Sequence, residues 1–423
     1  MKIILASKEV FPYHGYGGAQ RFVYTLAKHL IKKGIKTEIV TKTTGGKRLI
    51  IEKYDNINYI QIPQLLPMKF KKINNETYEW IYNDRSVSTL LIKKTPIIRG
   101  IMATLNDIIW MKRASNYLEK ADCDIIHFFS GNSLWYQLKR NHKPVLVQLW
   151  DIGNRGLSYK RIMELRKKKD TENVKLSYIL DLADHIVTCG HDYTKELIDI
   201  FNVPVNKLFH IPNGIDKEMI MKNCNHKQTQ LRKELNIKDD DFVLISLNRL
   251  EADKRVDIIM NSFEVLKEHV TNAKLIIVGT GSLEENLLRM IKLSKYKDSI
   301  FHFKNVPENE LYGLLSLADL FINTAITRYM LLTVMEAMVC KLPIITTTPL
   351  DGIVINGENG YVLETKNSIV IADKIIKMIK NDDMKLMGLC SSKLIENYTW
   401  EEVANKAIEA YEKIVEANNY ETE

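Results

Sequence analysis

The sequence is poor in cysteine, and what it has is not arranged to bind a metal or staple a fold. Five cysteines stand in 423 residues, Cys123, Cys189, Cys224, Cys340 and Cys390, far apart and without a Cys-x-x-Cys pair. That scatter points to a reducing compartment and speaks against a zinc site or a disulfide framework. Long hydrophobic runs are missing too. No uncharged apolar stretch reaches the ~18 residues that cross a bilayer. The apolar opening Lys2 to Ala6 is only strand length and runs directly into Ser7-Lys-Glu, which does not read as a signal peptide. Charge of one sign does not dominate either, since 60 Lys plus Arg against 52 Asp plus Glu leave +8. The excess is too mild and too scattered for a nucleic-acid partner, but it suits anionic small molecules or an anionic membrane face. A soluble, cytoplasmic protein is the expectation, with peripheral contact at the inner membrane face left open.

What is present is alternation. The length suffices for two domains, each with its own core. Lys2 to Ser7 reads as a buried strand, followed by a loop from Pro12 to Gln20 that contains Gly15, Gly17 and Gly18. A helix from Arg21 pairs Phe22/Val23, Leu26/Ala27 and Leu30/Ile31 on one face and stops at Gly34, before a strand from Thr37 to Thr41. Glycines at such a turn let backbone N–H groups approach an anion at a helix start, although an ordinary strand-to-helix turn has the same residues. The loop does not fit the dinucleotide fingerprint Gly-x-Gly-x-x-Gly.

Residues 43–120 depart from the alternation. They hold the basic run Lys69 to Lys72, Trp80, and a mixed apolar and basic segment from Leu90 to Ala114. Two readings stay open there: an acceptor-binding lobe touching a lipid head group, or a solvated basic face over core helices. Strands follow at Asp124 to Phe129, carrying His127, and at Pro144 to Leu149, leading to Trp150-Asp151. His127 reads either as a general base at a strand end or as a packed, satisfied side chain.

In the second half, a strand from Phe242 to Leu247 leads into Asn248-Arg249-Leu250-Glu-Ala-Asp-Lys254 and a helix from about Val256. A guanidinium and an ammonium on one loop between strand and helix can hold a single diphosphate. Each charge-assisted contact contributes roughly 1.5 to 3 kcal/mol. The strand Lys274 to Val278 ends in Gly279-Thr-Gly281. Further elements are expected at Leu283 to Lys295 (helix), Ile300 to Phe303 (strand), Glu308 to Ser316 (helix) and Asp319 to Asn323 (strand). The stretch from Arg328 to Ile345 then gives a loop, a short helix with Met335, Met338 and Val339 on its apolar side, and a strand from Ile344. The start of that helix, near Leu331 to Thr333, offers free N–H groups to phosphate. Glu336, one turn in, is placed to hold sugar hydroxyls.

These residues resemble the large retaining glycosyltransferase family that uses nucleotide sugars on a GT-B fold, the family-4 or "group 1" type. Glu336-Ala-Met-Val-Cys-Lys-Leu-Pro343-Ile resembles the second half of its Glu-x7-Glu region. Arg249-Leu-x-x-x-Lys254, Val278-Gly279-Thr-Gly281, Ile211-Pro-Asn213-Gly214-Ile-Asp216 and Asp181-Leu-Ala-Asp184 resemble its other segments. The departures lie in the chemistry. The first Glu, eight residues before Glu336, is here Arg328, and the glycine three residues after it is Leu331. Phe129 stands where the family commonly has a second His, and Trp150-Asp151 where it often has His-Asp.

The resemblance implies an α/β fold of two Rossmann-like domains facing each other across a cleft. It places an acceptor-binding domain at 1–215, a linker at 216–240, a nucleotide-sugar domain at 241–395, and a C-terminal helix, 396–423, that packs back on the first domain. It implies a retaining, hexosyltransferase-type enzyme moving sugar from a nucleoside diphosphate sugar to a glycan, lipid-linked or small-molecule acceptor, with no metal or other cofactor. Arg249, Lys254 and His127 are its candidate catalytic residues. Gly17, Gly18, Arg249, Lys254, Gly279, Arg328, Leu332, Thr333 and Glu336 are its candidate donor contacts. Arg328 brings a charge opposite to the family's, which suits an acidic sugar such as a uronic acid or a loss of sugar recognition. The alternative from another class is a non-catalytic scaffold or partner subunit that keeps the fold. An epimerase or phosphorylase reading finds no paired carboxylates and no lysine-anchored cofactor motif to support it.

Overall fold

A computed structural model describes residues 1–14, 18–43, 48–64, 68–72, 78–82, 96–129, 143–150, 180, 183–224, 228–326 and 331–422. The chain forms two compact units. The first holds Met1–Gly153, Tyr159–Pro212 and Trp400–Glu423, and the second is built on Asn213–Thr399.

The first unit is built on β1 (Lys2–Ser7), β2 (Lys36–Lys42), β3 (Ile50–Tyr54), β4 (Ile57–Ile62), β7 (Ile125–Phe129), β8 (Val145–Leu149), β9 (His185–Thr188) and β10 (Leu208–His210). Their order in the sheet is β10-β9-β8-β7-β1-β2-β4-β3. All neighbours are parallel except the β3–β4 hairpin, whose two turn residues Asp55 and Asn56 both have positive φ, as a primed turn requires. A separate antiparallel pair, β5 (Met68–Lys72) and β6 (Tyr78–Tyr82), lies within the irregular stretch. Central β1 is covered on both faces, so Ile3, Ile4 and Leu5 are all fully buried. Helix α1 (Gly18–Lys32) turns Phe22, Val23, Leu26, Ala27 and Leu30 inward, and it begins three residues before the expected start at Arg21. Helix α2 (Pro96–Lys120) packs on β2 and β4, and α3 (His191–Phe201) on β9 and β10.

The second unit opens with α4 (Lys217–Cys224) and α5 (Gln228–Glu234). Residues 216–240, expected as a linker, therefore carry regular structure, and Ile220 and Ile237 are buried in the second unit's core. Glu218 and Lys222 of α4 and Lys233 and Glu234 of α5 stay at the surface, which gives these helices a polar composition.

Its sheet runs β13-β12-β11-β14-β15-β16, all parallel, from β11 (Phe242–Leu247), β12 (Ala273–Val278), β13 (Ile300–Phe303), β14 (Leu320–Asn323), β15 (Ile344–Thr346) and β16 (Gly360–Val362). Successive strand residues point to opposite faces. Val243, Ile245, Ile276, Phe321 and Ile344 join one core with α8 (Glu308–Leu317) and α9 (Leu332–Val339), which follow α6 (Val256–His269) and α7 (Glu284–Leu293) in the chain. Leu244, Leu275, Ile277, Ile322 and Ile345 join the other core, with α6 and α10 (Ser368–Asn381). A further helix, α11 (Met384–Leu394), precedes α12 (Trp400–Thr422). The last of these belongs to the first unit, where Val403, Ala407, Ala410 and Tyr411 are buried in its core and α12 packs on α1.

Candidate functional site

In both sheets the first strand of the unit sits centrally and the connections run outward from it to either side. Such a reversal leaves a crevice at the carboxyl ends of the strands, where open α/β sheets take ligands. In the second unit it lies between β11 and β14, and the candidate residues collect around it.

Arg249 follows β11 directly, is exposed, and makes no side-chain hydrogen bond among the described residues. Lys254 ends a short 3-10 turn, Ala252–Lys254, with its side chain 13% exposed and its Nζ 3.1 Å from Asp253 Oδ2. Arg255 then takes a left-handed conformation (φ 52°) and caps α6. Two neighbouring turns hold this loop. On the β14 side the buried Thr324 hydroxyl donates to the carbonyls of Lys254 (2.9 Å) and Arg255 (3.0 Å), and Ile326 N–H donates to Asp253 O.

On the β12 side, Leu250 N–H donates to Thr280 O and Leu283 N–H to Leu250 O, each at 2.8 Å. Ser282 donates to Glu251 through both its N–H and its hydroxyl, which holds the Glu251 carboxyl below its ordinary range. Only glycine fits between these turns. A Cβ on Gly279 (φ +143°) would stand 1.9 Å from Asn248 O, and one on Gly281 2.4 Å from Leu250 O. The glycines are therefore there so that two backbones can touch. Sequence reasoning found Gly279 but missed Thr324, Glu251 and Ser282, which have no local signature.

After β14 the chain reaches α9. Leu331 is its N-cap and makes no side-chain cap; Val334 and Met335 N–H groups bond to Leu331 O. Leu332 and Thr333 occupy the first turn, half-buried, and Glu336 stands half-buried one turn further in. Because α9 leads into β15, which lies beside β14, its N-terminus is on the same carboxyl edge as Arg249 and Lys254. The edge thus carries two cations, a helix start and a carboxylate, a set suited to a diphosphate joined to a hydroxyl-bearing group. Arg328 and Gly17 lie outside the described residues, and Gly18 is the first residue of α1, exposed.

The strand-end role considered for His127 is corrected. His127 lies in mid-β7, fully buried, with Nδ1 2.7 Å from the Tyr411 hydroxyl of α12. Burial lowers its pKa to about 3, with a smaller opposing contribution from Gln148. It stays neutral inside the core. Phe129 and Trp150 also face inward, within 4.8 to 6.5 Å, centroid to centroid, of one another and of Phe22, which also meets Trp400 at 5.1 Å.

Comparison with known proteins places the chain. Residues 16–219 match the model for Glycosyltransferase Family 4 and residues 227–388 the model for Glycosyl transferases group 1. The structure is similar to sucrose-phosphate synthase from Thermosynechococcus elongatus, with a TM-score of 0.70, 16% identity, and 99% of this chain and 100% of that one covered. It is also similar to Anabaena HepE in complex with UDP, with a TM-score of 0.69, 13% identity, and 98% and 100% covered. The fold is GT-B. The chain belongs to the family-4, group 1 glycosyltransferases.

Among its relatives are N-acetyl-alpha-D-glucosaminyl L-malate synthase of Bacillus anthracis, 24% identical over 50% of this chain and 54% of that protein, and alpha-monoglucosyldiacylglycerol synthase of Acholeplasma laidlawii, 30% identical over 38% and 41%. The chain thus spans about half the length of the relatives it matches. Among the described residues, no helix is long and apolar enough to cross a membrane.

Proposed function

We propose that the protein is a glycosyltransferase that moves a sugar from a nucleoside diphosphate sugar to a glycan, lipid-linked or small-molecule acceptor, with retention of anomeric configuration. The observation that carries this reading is the loop after β11. It presents an exposed Arg249 and a nearly buried Lys254, pinned on both sides, on the same sheet edge as the start of α9. Neighbours in fold solved with UDP, with UDP-glucose, and with ADP and acarbose support a nucleotide-sugar donor.

In this reading the Arg249 and Lys254 charges and the Leu332 and Thr333 N–H groups stabilise the negative charge that builds on the departing diphosphate. They act most strongly where water is excluded. Asp253, beside Lys254, keeps the ammonium in place until the diphosphate arrives. Glu336 accepts hydrogen bonds from ribose hydroxyls. Arg328, in place of the family's first carboxylate, pairs with the carboxylate of an acidic sugar, so that a uronic acid donor outcompetes neutral ones in a donor screen.

Calorimetric titration with UDP, GDP, ADP and UMP tests the site. One diphosphate is expected to bind selectively, with Arg249→Ala and Lys254→Ala each weakening it by about 1.5–3 kcal/mol, or roughly 10- to 150-fold. A protein that binds none of the four would favour the second reading, a partner subunit without catalysis. The specific observation on that side is the filling of the first sheet's strand ends with the Phe129 and Trp150 rings.

A further inference from the structure

Two cysteines that lie 116 positions apart meet in the second unit. Cys224 is the last residue of α4, and Cys340 caps the C-terminus of α9. Their Sγ atoms are 2.9 Å apart and both side chains are half-buried. The two helix ends are held independently of the thiols. The Ser316 hydroxyl of α8 donates to the Cys224 carbonyl at 2.6 Å, while Cys340 N–H donates to Glu336 O and Leu342 N–H to Ala337 O. The apposition is thus part of the packing of α4 against α9. Glu336 lies one turn before Cys340 on the same helix.

We propose that Cys224 and Cys340 form a dithiol–disulfide couple, a modification site at which a hydroperoxide closes a covalent bridge between the C-terminal ends of α4 and α9. The two sulfurs share one hydrogen bond. The hydrogen bond between the two thiols lowers Cys224, with Lys341 adding to the effect against burial. The same hydrogen bond and burial push Cys340 up, with Glu336 adding to it. Either sulfur can attack first; with Cys224 as the attacking thiol, Cys340 is the resolving one.

In the first step Cys224 sulfur attacks the O–O bond. One oxygen is transferred to give the sulfenic acid, and the other leaves as an alcohol, or as water from hydrogen peroxide, taking up the thiol proton. Cys340 sulfur then attacks the sulfenyl sulfur, the S–S bond forms, and the sulfenic oxygen leaves as water with the Cys340 proton. Both sulfurs are oxidised by one electron each and the peroxide is reduced by two. A pair of this kind stays reduced in a thiol-rich compartment and bridges only under oxidant. Cys390 is exposed on α11, and Cys123 and Cys189 are buried in the first unit.

The test uses the full chain, reduced and then treated with a small excess of hydrogen peroxide. Free thiols, titrated after denaturation, are expected to fall from five to three and to return to five with dithiothreitol. A non-reducing peptide map should join the Cys224 and Cys340 peptides. Cys224→Ser and Cys340→Ser should each abolish the joined peptide and Cys390→Ser should leave it. The wild-type map needs no variant to fold. A thiol titre that stays at five, a bridge that uses Cys390, or oxidation of Cys390 alone would overturn the proposal.

Discussion

The two sheets use the same topology and fill its functional edge in opposite ways. In the second unit the described residues of the carboxyl edge around β11 and β14 are polar. Arg249 is exposed, Lys254 has a single ionic neighbour, and two glycines bring backbones together in place of side chains. In the first unit the described charges beyond β1 and β2 pair with one another. Lys42, 4% exposed, pairs with Glu9 at 2.6 Å, Gln20 Nε2 donates to the same carboxylate, and Lys8 pairs with Asp107 at 2.6 Å. Burial raises Glu9, but the charge and hydrogen bond of Lys42 outweigh it and hold the carboxyl below its usual range. Farther along that edge the aromatic cluster of Phe22, Phe129, Trp150 and Trp400 takes the place of polar strand ends. One central strand arrangement thus carries an edge with an exposed Arg249 and a lightly paired Lys254, and an edge where the described charges are buried in pairs or replaced by rings.

The contrast can be broken most forcefully at the paired edge. Glu9→Ala removes the carboxylate that pairs with the buried Lys42 ammonium and should cost about 3 kcal/mol in urea unfolding. That is the low end for a broken buried pair, because Glu9 is itself one-third exposed. A cost near zero would show that the first edge is no more closed than the second. At the second edge, Gly279→Ala should separate the β11 and β12 turns, since neither backbone nor φ accepts a Cβ there. About 2 kcal/mol of lost stability, with nucleotide affinity reduced at least in proportion, is the expected outcome. Retained affinity would mean that the lacing of the loops does not position Arg249.

The smallest effect concerns His127. Its folded pKa of about 3 lies below the unfolded value near 6.5, so the unfolded chain binds the extra proton between those limits. Its contribution is fully present above pH 6.5 and is lost as pH falls toward 3, by on the order of 1 to 2 kcal/mol at pH 5. His127→Gln should flatten the fall in Tm between pH 7 and pH 5. An unchanged slope would mean that the imidazole is not held neutral.

Much of this was legible in the chain, and the remainder was hidden for physical reasons. The β1, α1, β2 opening and the alternation through β11 to β15 follow from apolar periodicity, which burial on one or both faces enforces. The placement of Arg249, Lys254 and Glu336 on one sheet edge follows from where they stand between strand and helix. His127 was ambiguous because a strand residue two positions from the carboxyl end faces either the crevice or a helix, and only Tyr411, 284 residues later, decides which. Residues 216–240 have a linker's composition, and the helices Lys217–Cys224 and Gln228–Glu234 within them are too short to show a clear apolar period. The β3–β4 hairpin turns on Asp55-Asn56 without a glycine, so its signal was weak. The pairing of Cys224 with Cys340 has no trace in spacing at all, since it is made by packing α4 against α9.

The most direct measurement is hydrogen–deuterium exchange of the full chain with and without a saturating nucleoside diphosphate. The account predicts new protection of the backbone at 248–255, 279–283 and 331–336, with 125–129 unchanged. Bound nucleotide that leaves those three second-unit segments unprotected would contradict it.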